Sequence, residues 1–212
     1  QWFSTMYGVY YFAGSVWVTL ATTYVIALVL KNTGHLAPII QKGTFKDIGT
    51  LFFAFTVFYA YIHFSQYFLI WNAAIPEETF WYVKRENGVW WSVGMLIIFG
   101  HFFVPFLSLL RIDAKHCLPV MVPMVVWAWL MHYADMSFNI KPVHNPDGSG
   151  ISFGSLVLSL GTMAGMAGLL GKWFLKEFLA HPPFPQRDPR VAETVGVYVE
   201  PVSASSSRGS GQ

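Results

Sequence analysis

Apolar residues along this chain come in long blocks separated by short polar stretches. The block from Leu51 to Trp71 reads Leu-Phe-Phe-Ala-Phe-Thr-Val-Phe-Tyr-Ala-Tyr-Ile-His-Phe-Ser-Gln-Tyr-Phe-Leu-Ile-Trp and contains no lysine, arginine, aspartate or glutamate. A stretch of about 20 such residues spans the hydrocarbon core of a bilayer as a helix. Blocks of this kind cover Trp2 to Leu30, Gly49 to Ala73, Val89 to Leu110, Leu118 to Ile140 and Phe153 to Leu175. Backbone amides in lipid must find partners within their own segment, and none of the blocks alternates with the period of a barrel strand, so each predicts an α-helix. The expected fold class is all-α, a polytopic transmembrane helical bundle of about five spans.

Composition agrees with that pattern. Hydrophobic residues make up 54% of the 212 and charged residues only 11%, too apolar for an ordinary water-soluble domain. The formal net charge of +2 comes from bases clustered between the blocks, so it bears on topology and does not predict a nucleic-acid partner. Lys31, Lys42 and Lys46 follow the first block, Arg111 and Lys115 the third, Lys172 and Lys176 the fifth. By the excess of bases on the cytoplasmic side these segments face inward and the carboxyl terminus is cytoplasmic. The opposite segments carry Glu77, Glu78, Lys84, Arg85 and Glu86, or Lys141 and Asp147, a weaker basic loading that fits the outer side. A single cysteine, Cys117, excludes an intrachain disulfide and a thiolate-built cluster.

The chain opens at Gln1-Trp2-Phe3, already within an apolar block, without the succession of a signal peptide. It is expected to be a portion of a longer polypeptide. Residues 1–180 form the expected transmembrane domain. From His181 the sequence turns to Pro-Pro-Phe-Pro and ends in a serine-rich stretch, so 181–212 are expected to be a cytoplasmic tail, extended or disordered. Ile75-Pro76-Glu77-Glu78 followed by Lys84-Arg85 predicts a short interfacial helix, with proline and acids at its start and bases after it. Trp71, Trp81, Tyr82, Trp90 and Trp91 are expected as an aromatic belt at that interface.

Polar residues inside the blocks carry the functional question, because hydrocarbon penalises any polar group without a partner. Thr56, Tyr59, His63 and Gln66 share one face of the second span by their spacing of three and four. Two readings of that stripe stand side by side: hydrogen bonds that hold helices together, or a path for protons or a quinol headgroup. His101 sits near the centre of the third span, with Pro105 one turn on, which removes the donor to the His101 carbonyl and predicts a kink. On the fourth span Ala128, His132, Asp135 and Asn139 share a face, and His132 with Asp135 has the spacing at which a carboxylate orients an imidazole. An aspartate at a helix centre costs on the order of 3 kcal/mol to insert; the alternative is a pair that snorkels to the outer surface. His63 and His101 lie at comparable depth, which leaves a single bis-histidine haem open. On the fifth span Gly154, Gly161, Gly165, Gly168 and Gly171 predict close helix packing, as does the stripe Ser4, Gly8, Tyr11, Ser15, Thr19 and Thr22 on the first. No nucleophile elbow, phosphate loop or metal-ligand spacing is present, so neither a catalytic residue nor a metal site is expected.

Phe3-Ser-Thr-Met-Tyr-Gly-Val-Tyr-Tyr-Phe-Ala-Gly-Ser15, Phe53 to Tyr67, Trp71-Asn-Ala-Ala-Ile-Pro-Glu-Glu-Thr79 and Gly100-His101-Phe102 together resemble the ActF family, the NrfD-like integral membrane subunits of bacterial alternative complex III. The resemblance extends over all the expected spans and corresponds to the carboxyl-terminal half of a bundle with about twice as many helices. It implies a subunit of a quinol:cytochrome c oxidoreductase in a bacterial inner membrane, passing electrons to a periplasmic cytochrome c or similar carrier. It also implies that this chain binds no cofactor, since quinol, haem c and iron–sulfur clusters belong to partner subunits. Those partners would be a sister NrfD-like subunit, an extrinsic iron–sulfur subunit and haem c subunits, with membrane lipid around them. Under that resemblance Tyr59, His63, Gln66 and His101 are proton-path candidates with His132 and Asp135 as their continuation, and Glu77, Glu78 and Trp81 are candidates for docking an extrinsic partner. The competing expectations are a membrane anchor with purely structural polar stripes and a haem b subunit.

Overall fold

A computed structural model describes residues 4–34, 36–37, 39–144 and 152–182. Described in chain order, the elements are α1 (Thr5–Asn32), α2 (Lys42–Ala73), α3 (Pro76–Val83), α4 (Gly88–Ile97), a π-helical segment (Ile98–Phe103), α5 (Val104–Leu109), a 3-10 turn (Ile112–His116), α6 (Leu118–His144) and α7 (Phe153–Ala180). There is no strand among the described residues, so the fold is the all-α bundle that the apolar blocks predict.

Four stretches are long and apolar enough to cross a membrane: Thr5–Asn32, Lys42–Ala73, Gly88–Leu109 and Phe153–Ala180. Large apolar side chains such as Phe12, Phe64, Leu107 and Leu158 lie exposed along all of them, far more than a water-facing surface carries. That is the build of a multi-pass membrane protein. The fifth expected span, α6, is 27 residues long, enough for about 40 Å of helix. It is not among those four, and its second half carries His132, Asp135, Asn139 and Lys141. The helices also outrun the apolar blocks: α2 begins at Lys42 and α7 ends at Ala180.

Hydroxyls inside these helices mostly bond back to the preceding turn. Thr19, Thr22, Thr23 and Thr50 each donate to the carbonyl four residues earlier at 2.7–2.9 Å, which satisfies them without a neighbouring helix. A left-handed Ala74 (φ 51°) ends α2, and Pro76 with Glu77 and Glu78 opens α3 as the interfacial signal predicts.

The bundle is built from α1, α2, the α4–α5 stretch and α6. At the end near the 3-10 turn the core is apolar, with Trp17, Tyr24, Phe45, Phe52, Leu109, Met121 and Ala128 packed together. At the end near α3 a second apolar cluster gathers Ile70, Trp81, Tyr82, Trp90, Ile97 and Phe138. Close backbone approach depends on two glycines. A Cβ on Gly49 would lie 2.8 Å from the Lys115 carbonyl oxygen, and one on Gly100 would collide with Met131 Sδ and lie 3.2 Å from Trp127 Cζ2.

Several expectations change in this fold. The buried side of α1 is Tyr10, Ala13, Gly14, Trp17, Ala21 and Tyr24, whereas Gly8, Tyr11 and Thr19 of the expected packing stripe are exposed. Large aromatics decide the packing face there, since they bury more area than serine or threonine. The glycines of α7 pack against no helix: α7 has no buried residue, and a Cβ on Gly161, Gly165, Gly168 or Gly171 would meet nothing within 4 Å. Trp81, Tyr82 and Trp90 belong to the core, which leaves only Trp71 and Trp91 of the expected belt exposed. Gln1, Trp2, Phe3, Asp147 and the tail from 183 lie outside the described residues.

Candidate functional site

Between the two apolar clusters the bundle holds a polar layer, built around Asp135. Its carboxylate is 0% exposed, so the snorkelling alternative does not hold. Oδ1 accepts a short hydrogen bond from the Tyr10 hydroxyl and a second, at 3.3 Å, from Asn139 Nδ2. Asn139 Nδ2 also donates to Tyr10 Oη at 3.0 Å and to the Asp135 carbonyl at 2.8 Å. The Tyr10 hydroxyl lies 3.1 Å from that of Tyr59. Tyr10, Tyr59, Asp135 and Asn139 thus form one hydrogen-bonded unit contributed by α1, α2 and α6, the arrangement in which buried polar groups polarise one another.

Three imidazoles surround this unit. His63 lies with its ring centroid 5.3 Å from Tyr10 and 5.9 Å from Tyr59. His101 is stacked between Trp17 and Tyr59 at centroid distances of 4.0 and 3.8 Å. His132 comes from the same helix as Asp135, one turn earlier, and packs near Gly14. No hydrogen bond joins His132 to Asp135, although their spacing allows one; Tyr10 holds Oδ1, and Oδ2 and His132 Nδ1 are both without a partner. Ligand atoms of His101, His132 and Asp135 nevertheless lie within 4.8 Å of one another. The sequence contains no metal-ligand spacing because this trio comes from two separate helices.

His101 owes its position to the π-helical segment. Over Ile98–Phe103 the chain takes on one residue per turn more than an α-helix, and the Val104 amide bonds to the Phe99 carbonyl five residues back. Pro105 follows directly and has no amide to give the His101 carbonyl. The predicted distortion is therefore a widened turn, a feature frequent at functional sites. Trp127 Nε1 donates to the Gly100 carbonyl at 2.8 Å and ties this turn to α6. Below it, Trp17 Nε1 donates to Thr56 Oγ1 at 2.8 Å, and Thr56 passes its proton to the Phe52 carbonyl. Thr56 is thus fully partnered and serves packing.

The remaining sequence candidates divide. Gln66 is buried but belongs to the α3 end, where its amide reaches Tyr82 and its Oε1 has no partner. Glu77 is exposed. Glu78 is half-buried. Trp81 is turned inward with the Arg85 guanidinium 3.6 Å over its ring, so it presents little to a partner.

Arg85, Tyr10, Asn139 and Trp17 are residues that sequence reasoning left out of the site. Arg85 is buried and donates to three carbonyls: Nε to Phe138 at 3.0 Å, Nη1 to Trp81 at 2.6 Å and Nη2 to Asn139 at 3.0 Å. The signal for this was present, since Pro142 sits inside α6 and deprives the Phe138 carbonyl of its helical donor. Burial lowers the Arg85 pKa to about 10, so it stays charged at neutral pH. It clamps the end of α6 that carries Asp135 and Asn139.

A cavity of about 680 Å³ runs beside the polar layer. Tyr59 and His63 line it in company with Tyr82, Arg85 and Glu86, and aromatic and aliphatic side chains such as Phe64, Ile98 and Phe102 form the rest. It therefore connects the imidazole of His63 to the charged α3 end.

No protein-family model matches the chain, and no curated protein matches it either.

Proposed function

We propose that this chain is a membrane subunit of a quinol-oxidising electron-transfer complex of the alternative complex III kind, and that its polar layer conducts protons while electrons pass through partner subunits. The observation that carries the proton role is Asp135, a carboxyl group buried in the bundle and hydrogen-bonded to a tyrosine pair with three imidazoles around it. A buried ionisable group at membrane depth is retained for a reason other than stability. The quinol-complex assignment rests on the ActF-like motifs.

In this reading α6 is a fifth span, the carboxyl terminus is cytoplasmic and the membrane is a bacterial inner membrane. The α3 end then faces outward. On the inner side the layer is closed by Trp17, Phe52, Leu109 and Met121, which offer no proton carrier. Toward the outside, Tyr59 and His63 line a cavity that extends to Arg85 and Glu86. The chain accordingly serves proton release: Asp135 holds the proton, the Tyr10 and Tyr59 hydroxyls pass it on, and His63 delivers it to the cavity. Entry from the cytoplasmic side would come through the sister subunit or another part of the bundle. Glu77, exposed at the start of α3, is the group left to meet an extrinsic iron–sulfur or haem c subunit.

A second reading, the membrane anchor, is favoured by α7, which has no buried residue within this chain. The two separate by experiment on the assembled complex in liposomes. With Asp135→Asn, electron transfer continues and quinol-driven proton release falls by at least tenfold. Unchanged release would refute the relay, and loss of assembly with Glu77→Lys at normal residual activity would favour the anchor.

A further inference from the structure

We infer that His101, His132 and Asp135 form a binding site for a divalent transition-metal ion of the Zn²⁺ class. The inference rests on donor geometry and stands whether or not the layer moves protons. The three ligand atoms lie within 4.8 Å of one another, so an ion at their centre is no more than about 2.8 Å from each. Closing to the 2.0–2.2 Å of Zn–N and Zn–O bonds asks each donor to move by about 0.7 Å. His101 is held by the rings stacked on both faces. The movement then falls to His132, which is only partly buried, and to the carboxylate, at about 1 Å each.

The donors are free for this role. Both ring nitrogens of His101, Nδ1 of His132 and Oδ2 of Asp135 are shielded from solvent and have no hydrogen-bond partner. Buried polar atoms without partners are uncommon and call for an explanation, and ligand atoms of all three residues, one from each, gather within 4.8 Å of one another. The carboxylate is also held as a ligand should be: Tyr10 and Asn139 occupy Oδ1, which leaves Oδ2 without a partner. Such outer hydrogen bonds fix ligand direction and raise affinity. Two neutral imidazoles and one carboxylate suit Zn²⁺ and its neighbours better than Mg²⁺ or Ca²⁺, which prefer an all-oxygen shell. The fourth position stays open to water or to a ligand.

Because ligation needs both imidazoles neutral and the carboxylate ionised, the ion competes with protons for the same groups. A bound ion therefore stops any proton traffic through Asp135.

The test uses the full chain, purified in detergent and dialysed against Zn²⁺, with metal content measured, and Co²⁺ as an optical probe. The expected result is one Zn²⁺ per chain and the visible absorption of four-coordinate Co²⁺. His132→Ala and Asp135→Asn should weaken binding by at least the roughly 100-fold that outer-sphere losses reach. The double variant His116→Ala, His181→Ala, at two exposed histidines, should bind as the parent does. Asp135→Asn preserves the shape of the side chain and serves if His132→Ala fails to fold. Absence of stoichiometric uptake, or uptake unchanged in Asp135→Asn, would overturn the site. If the complex shows no uptake but Asp135→Asn still abolishes proton release, the metal site fails and the proton relay stands. If uptake occurs and proton release ignores Asp135→Asn, the reverse holds.

Discussion

Replacing Arg85 by leucine should loosen the part of the bundle that holds the polar layer. Its guanidinium serves three carbonyls at 2.6–3.0 Å and lies 3.6 Å over the Trp81 ring. The Phe138 carbonyl is the costly loss, because Pro142 gives it no helical donor. A buried acceptor left unpaired costs about 1–3 kcal/mol, and a desolvated cation–π contact is worth about 2 kcal/mol. Relief from burying the charge offsets part of this. The net expectation is a loss of about 3 kcal/mol, more than a hundredfold in the unfolding equilibrium. Arg85→Lys should fall between, since an ammonium keeps the charge but cannot serve three carbonyls in one plane. Unfolding by a denaturing detergent from mild micelles, followed by tryptophan fluorescence, measures both. A change below about 0.5 kcal/mol for Arg85→Leu, the size of an ordinary surface substitution, would refute the clamp.

Tyr10→Phe removes the donor to Asp135 and one partner of Asn139, and should destabilise by about 1–3 kcal/mol in the same assay while lowering proton release in liposomes. Gly49→Ala would drive a methyl to within 2.8 Å of the Lys115 carbonyl oxygen; with backbone as the obstacle, a loss of about 1–3 kcal/mol is expected, whereas a neutral result would show that the 3-10 turn sits elsewhere. Gly161→Val on α7 meets nothing within 4 Å, so the isolated chain should keep its stability within about 0.5 kcal/mol. If the same variant no longer enters the complex on a native gel, that face of α7 is covered by a partner.

The helices and their approximate ends were legible because apolar blocks of span length leave the backbone one choice in lipid. Within the polar layer, Tyr59, His63, His101, His132 and Asp135 stood out as polar residues in apolar blocks, and the fold brings them together. Gln66 shared their helix face yet lies at the α3 end, since helical spacing fixes a side but not which neighbour that side meets. Tyr10 was invisible among ten tyrosines, as nothing local marks the one opposite Asp135. Arg85 looked like a solvated loop charge; only the pairing of Pro142 with an arginine more than fifty positions earlier reveals its task. The misreading of α7 and of the α1 stripe has one cause. Small residues permit close approach but do not create it, and aromatic area decides which face is buried.

The proton role requires Asp135 to exchange its proton inside the bundle. Infrared difference spectra of the assembled complex, recorded between quinol-reduced and oxidised states, test this most directly. A carboxylic-acid carbonyl band that shifts in heavy water and vanishes in Asp135→Asn is the predicted result. Difference spectra identical in the parent and in Asp135→Asn would contradict it.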